Sequence, residues 1–174
     1  MESIANQSVP RELLYARRLT DWVLKLEPNA SEALQLAARC QHIRRWEIPR
    51  SDFSADKGGY HRWRTKLKSF HAEIAGRILT ECGYDNLTVT RVQELNRKTT
   101  FPADPESRTL EDGLCLVFLE FQLEEFAQRT EREKVINALR KSWAKMTEKG
   151  RDAALALPLS DRARELVVQA IRGG

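Results

Sequence analysis

No apolar run in this 174-residue chain comes near the roughly 20 residues that a membrane-crossing helix needs; the longest, Leu114 to Leu119, has the length of a buried core segment. Cysteine is scarce. Cys40, Cys82 and Cys115 are odd in number and far apart, which excludes a disulfide framework and any C-x-x-C pair. Reduced, buried thiols in a cytoplasmic protein are the expectation. Met1 to Pro10 has neither a basic n-region nor an apolar h-region, so no export signal is expected. The chain lacks a G-x-S-x-G elbow, an H-E-x-x-H helix, a Walker A loop and zinc-finger spacing. It also lacks internal repeats and low-complexity tracts.

What is present reads as helix. Hydrophobic residues make up 41% and charged residues 31%, an ordinary composition for one domain with one core. The expected architecture is an all-α single domain, residues 1–174, with six to seven helices and strand content near zero. Residues 1–8 are expected to form a flexible N-terminal tail. Pro10 opens a helix to about Leu26, with Leu13, Leu14, Leu19, Trp22, Val23 and Leu26 as its buried stripe. Asn29 with Glu32 has capping-box spacing and starts a second helix, to about Arg45. Pro49 to Gly59 reads as a loop. A third helix runs from about Tyr60 to Glu81 and stops at Gly83, and a fourth runs from about Thr88 to Lys98. The fifth, about Pro105 to Gln128, is apolar all round at Leu114–Leu119, the mark of a central helix. Thr130 with Glu133 is a second capping box and opens a helix to about Lys149; the last spans about Ser160 to Ile171.

The net charge of +4 is unevenly placed. Residues 39–68 hold nine Lys or Arg against three acids, so this segment is +6 and the remainder −2. Such a field favours an anionic partner: a phosphorylated small molecule first, with nucleic acid as a further class. A solvated basic surface is the plain alternative. Arg45, Arg50 and Arg64 can grip phosphate or carboxylate in bidentate fashion. Gln41 and Tyr60 lie beside them in sequence. Gly58-Gly59 before a helix start can offer backbone N–H groups to an anion. Three histidines exist. His42 ends the second helix and His71 lies mid-way along the third, with Glu111 and Asp112 entering the apolar run of the central helix. His42, His71, Asp112 and Glu111 are the candidate acid, base or ligand set. His42, His71 and Asp112 together could hold a divalent iron, manganese or zinc ion.

These residues carry a resemblance. Ser31-Glu32, Gln41-His42-Ile43-Arg44-Arg45-Trp46, Ile48-Pro49-Arg50, Gly59-Tyr60, Trp63-Arg64 and His71 occur in an order that resembles the family described as domain of unknown function 4202. Leu110-Glu111-Asp112, Cys115 to Glu120 and Lys145-Met146 continue the match over nearly the whole chain. Arg17-Arg18-Leu19-Thr20 departs from that family's Glu-Arg-Met-Ser-like run. A more distant resemblance is to the His-Asp (HD) phosphohydrolase superfamily. There Gln41 stands at the metal-binding His, His42 at the metal-binding Asp, and His71 at the additional His of dinuclear members. Asp112 stands at the last ligand. The first-helix His has no counterpart, and Tyr15 or Glu12 occupies its region.

The resemblance implies an HD-like helical bundle acting as a metal-dependent hydrolase on a phosphorylated small molecule or nucleotide. The alternative is a non-catalytic module that binds a nucleotide, RNA or an acidic partner through the same basic pocket, with a degenerate metal site. The expected location is cytoplasmic, away from membranes.

Overall fold

The computed structural model describes residues 2–4 and 7–172, with side chains from residue 9 onward. Its organising element is helix α5, Pro105–Phe121. Asp104 caps α5 by accepting from the Ser107 N–H at 3.1 Å, and Pro105 sits in its first turn. Helix α1 (Arg11–Leu26) lies along α5, and Gly113 permits that approach: a Cβ there would stand 3.0 Å from Leu19 Cδ1. Helices α2 (Glu32–Cys40), α3 (Lys57–Glu81) and α4 (Asn86–Arg97) complete one side. Their buried residues, among them Leu34, Ala75, Val92 and Leu95, join Leu110 and Val117 of α5 in one apolar cluster. Gly76 of α3 leaves no room for a Cβ beside Gln93 of α4, whose amide donates to Ala72 O at 3.1 Å.

The other side holds α6 (Leu123–Arg129), α7 (Arg132–Lys145), α8 (Glu148–Leu155) and α9 (Asp161–Arg172). Their cluster includes Ile136, Leu139, Leu166 and Val167 with Leu116 and Leu119 of α5. The fold is all-α, with nine α-helices among the described residues, more than the six to seven expected. A short antiparallel pair, Glu2–Ile4 with Gln7–Val9, precedes them. The expected flexible tail, residues 1–8, includes residues 1, 5 and 6, which lie outside the described ones. No helix among the described residues is long and apolar enough to cross a membrane.

Several boundaries depart from expectation. Ser31, not Asn29, caps α2, accepting from the Leu34 N–H at 3.1 Å. Helix α2 stops at Cys40, and Arg44 takes a left-handed conformation, φ 50°, which turns the chain into two short 3₁₀ segments, Arg45–Glu47 and Arg50–Asp52. The long fifth helix breaks at Gln122. Helix α7 has no side-chain cap at Glu131, so the Thr130–Glu133 box does not form. The expected helix to Lys149 ends at Lys145, because Thr147 turns aside to cap α8. Leu13 is exposed rather than part of the α1 stripe.

Candidate functional site

One face of α5 lies where the two apolar clusters meet a cavity. Glu111, Leu114, Cys115 and Phe118 follow one another at helical spacing and form the floor of a cavity of about 790 Å³. For that reason Leu114 and Phe118 are half-buried, while Cys115, Leu116, Val117 and Leu119 are buried. Helix α3 supplies one wall with Tyr60, Arg64, Lys68 and His71. Helix α7 supplies another with Ala138, Lys141, Ser142 and Lys145. His42 and Arg45 come from the turn after α2, and Asn96 and Lys98 from the end of α4. Phe126 of α6 adds an aromatic side chain that meets Phe118 edge-on, with ring centroids 5.6 Å apart.

The cavity is strongly cationic. Arg45, Arg64, Lys68, Lys98, Lys141 and Lys145 line it, against the single carboxylate of Glu111. Glu111 is 6% exposed; its Oε2 binds Lys98 Nζ and its Oε1 lies 3.2 Å from Lys145 Nζ. Burial pushes Glu111 up, but the two lysines outweigh it and hold the carboxyl below its ordinary range. Lys98 sits at the end of α4 with φ 59°, a left-handed backbone for a non-glycine residue. Burial lowers its ammonium pKa, partly offset by Glu111. Arg45, Arg64, Lys68 and Lys141 have no ion pair among the described residues. Burial also lowers Lys68 and Arg45, and Arg64 adds to both shifts.

His42 and His71 are neutral. His42 stacks on Tyr15, with ring centroids 3.7 Å apart and planes at 16°, and lies 6.2 Å from the His71 ring. Burial, then Arg45, lowers His42 to about 2. Burial, then Arg45 and Arg64, lowers His71 to about 4. Arg45 Nη1 lies 3.3 Å from His42 Nε2. A guanidinium can only donate, so His42 Nε2 is the acceptor. His71 Nε2 is buried without a partner, although the imidazole lines the cavity. Tyr15 is raised above its ordinary value by burial. Burial likewise pushes the Cys115 thiol up to about 12, which leaves it protonated.

The structure sorts the expected residues unevenly. His42, His71, Glu111, Gln41, Arg45, Tyr60 and Arg64 line one cavity, with Gln41 tied to Asn96 Oδ1 at 2.9 Å. Asp112 does not. One residue on from Glu111, it points to another side of α5. There it accepts the Thr147 N–H at 2.9 Å and also the Thr147 hydroxyl, beside Gly150 of α8. Its carboxylate anchors a helix start, and the expected convergence of His42, His71 and Asp112 is absent. Among the described residues no group of three or more His, Cys, Asp or Glu side chains is placed to hold a metal ion. The donor set therefore does not fit the implied metal.

Arg50 also lies elsewhere. Its guanidinium donates to Phe53 O at 2.8 Å and Ser54 O at 2.7 Å, closing its own loop. The expected anion seat at Gly58-Gly59 is filled by the chain itself: Asp56 accepts the Gly59 N–H at 2.6 Å. Trp63 is buried, donates to Ile48 O at 2.9 Å and supports the Arg45 guanidinium 4.6 Å from its ring centroid; Trp46 is 61% exposed. Lys68, Lys98, Lys141 and Lys145 were outside the expected set. The i, i+4 spacing of Arg64 with Lys68, and of Lys141 with Lys145, is the sequence signal that marks two cationic helix faces.

A family model described as Domain of unknown function (DUF4202) matches residues 1–167. No curated protein and no solved structure matches the chain.

Proposed function

This chain belongs to the DUF4202 family, and from that premise we propose that it binds a phosphorylated small molecule, with a nucleotide as the best-fitting class. The carrying observation is the convergence of six cations and one carboxylate on a single cavity of about 790 Å³. Its volume lies within the range that small organic ligands occupy. Cations gathered inside a concavity favour a compact anion over an extended nucleic acid, whose phosphates need a surface track. Phe101, Phe118 and Phe126 in the lining give an aromatic body apolar surface to contact.

Hydrolysis of the bound phosphate is the second reading. It is favoured by the partnerless, uncharged His71 Nε2 in a cavity of this charge, a group able to hold a water. No step in it runs through a metal. Calorimetry with phosphate, nucleoside monophosphates and sugar phosphates, at low and moderate salt, tests the binding reading. Arg64→Ala should weaken the best ligand by about 1.5–3 kcal/mol, the scale of charge-assisted hydrogen bonds. If none of these anions binds, the reading fails. Release of inorganic phosphate, abolished in His71→Ala while ligand still binds, would support the hydrolase; stable ligand over long incubation would leave a binding module.

A further inference from the structure

The cationic lining is not one undivided patch. Arg45 stands with the two histidines: it touches His42, and His42 faces His71. Arg64 lines the same cavity and its charge acts on both imidazoles, and no carboxylate pairs with either guanidinium among the described residues. Lys98 and Lys145 stand instead around Glu111, which holds one with each carboxylate oxygen. Lys68 lies between the two groups: Arg64, one turn back on α3, is the largest charge influence on it, with Glu111 and Lys145 as the further charges, so it can serve the second group. Arg64 and Lys68 are one helical turn apart on α3, so the two groups adjoin at a spacing of roughly 6 Å. Each ammonium has three donors and Glu111 can take only part of them, leaving N–H groups for a ligand.

We propose that the cavity takes a ligand with two or more linked phosphoryl groups, one held by Arg45 and Arg64 and the next by Lys68, Lys98 and Lys145. This rests on the binding reading above and narrows it. Two guanidiniums alone suffice for a single phosphate. The second group has three ammoniums and one carboxylate, a surplus of two charges, which matches a further phosphoryl group. Glu111 acts there as a positioning and selectivity residue. It aims Lys98 and Lys145, and an anion that binds there must compete with its carboxylate for their N–H groups.

Calorimetry with inorganic phosphate, pyrophosphate, adenosine monophosphate and adenosine diphosphate tests this. Pyrophosphate should bind at least about tenfold more tightly than phosphate, one extra charge-assisted contact being worth that much. Lys145→Ala should remove most of that advantage, weakening pyrophosphate far more than phosphate. The Lys145 side chain is 51% exposed, so this variant should fold. Arg45→Ala should weaken both probes. Glu111→Gln should bind pyrophosphate more tightly than the parent, a gain that a merely structural role would not produce. Adenosine diphosphate tighter than pyrophosphate identifies a nucleoside diphosphate; equality identifies the diphosphate itself as the recognised chemistry, and both support the proposal. Equal affinity for phosphate and pyrophosphate overturns it while the binding reading stands, as does a Lys145→Ala variant that keeps the full preference. Failure of every anion to bind removes both.

Discussion

His42 and His71 go into the fold as neutral imidazoles. Unfolded, each takes up a proton near pH 6.5; folded, they resist protonation to about 2 and about 4. Folding keeps the full benefit above the unfolded value and loses it as pH falls through and below 6.5. Each histidine then costs up to ~1.4 kcal/mol per pH unit. Urea denaturation at about pH 7.5 and about pH 5 should show a clear loss of stability at the lower value, reduced in His71→Gln. Asp112 carries a second expectation. A Cβ at Gly150 would stand 2.5 Å from the Asp112 carboxyl carbon, so Gly150→Ala should destabilise by about 2–3 kcal/mol. Asp112→Ala strands the Thr147 N–H and should cost about 1–3 kcal/mol. The two share one contact, and the double variant should lose less than the sum of the two. The residue types at these positions were legible in the sequence. Their partners were not, because a carboxylate in a helix looks the same whether it faces a cavity or the next helix start.

At the scale of elements, the helix starts and stops with local chemistry were readable. Pro105 and Gly83 mark α5 and the end of α3 as expected, Gly83 with φ 85°. The breaks at Gln122 and Met146 carry no glycine or proline. The second follows from Asp112 holding Thr147 across 35 residues, a tertiary cause that no window of sequence contains. The apolar run Leu114–Leu119 did locate the central helix, yet for a mixed reason: three of its side chains, Leu114, Cys115 and Phe118, face a cavity. Phe118→Ala should therefore cost about 1–2 kcal/mol, below the 3–5 usual for a fully buried phenylalanine, whereas Leu116→Ala, at a position 0% exposed, should cost about 2–5 kcal/mol. Denaturant midpoints of the two variants, compared side by side, check this. A Phe118→Ala loss equal to that of Leu116→Ala would place Phe118 in the core.

For the molecule as a whole, the +6 segment supplies one part of the cavity lining and half of its cations. Arg45, Arg64 and Lys68 lie within it, while Lys98, Lys141 and Lys145 come from helices 30 to 77 residues further on. Spatial convergence of distant helices is not written in local charge. It has a consequence for salt. Moderate salt should raise the melting temperature of the ligand-free protein by screening the crowded cations, and the same salt should weaken anion binding. Differential scanning fluorimetry at about 20 mM and about 150 mM chloride, with and without pyrophosphate, should show those opposite trends. In the unfolded chain these six charges are dispersed, so the crowding belongs to the folded state alone. An anion in the cavity then acts against unfolding, by an amount that grows with its concentration. On the binding proposal, the half-life of the protein under proteolytic attack would follow the abundance of its ligand: a cell poor in that anion would degrade the chain sooner, and one rich in it would keep more copies.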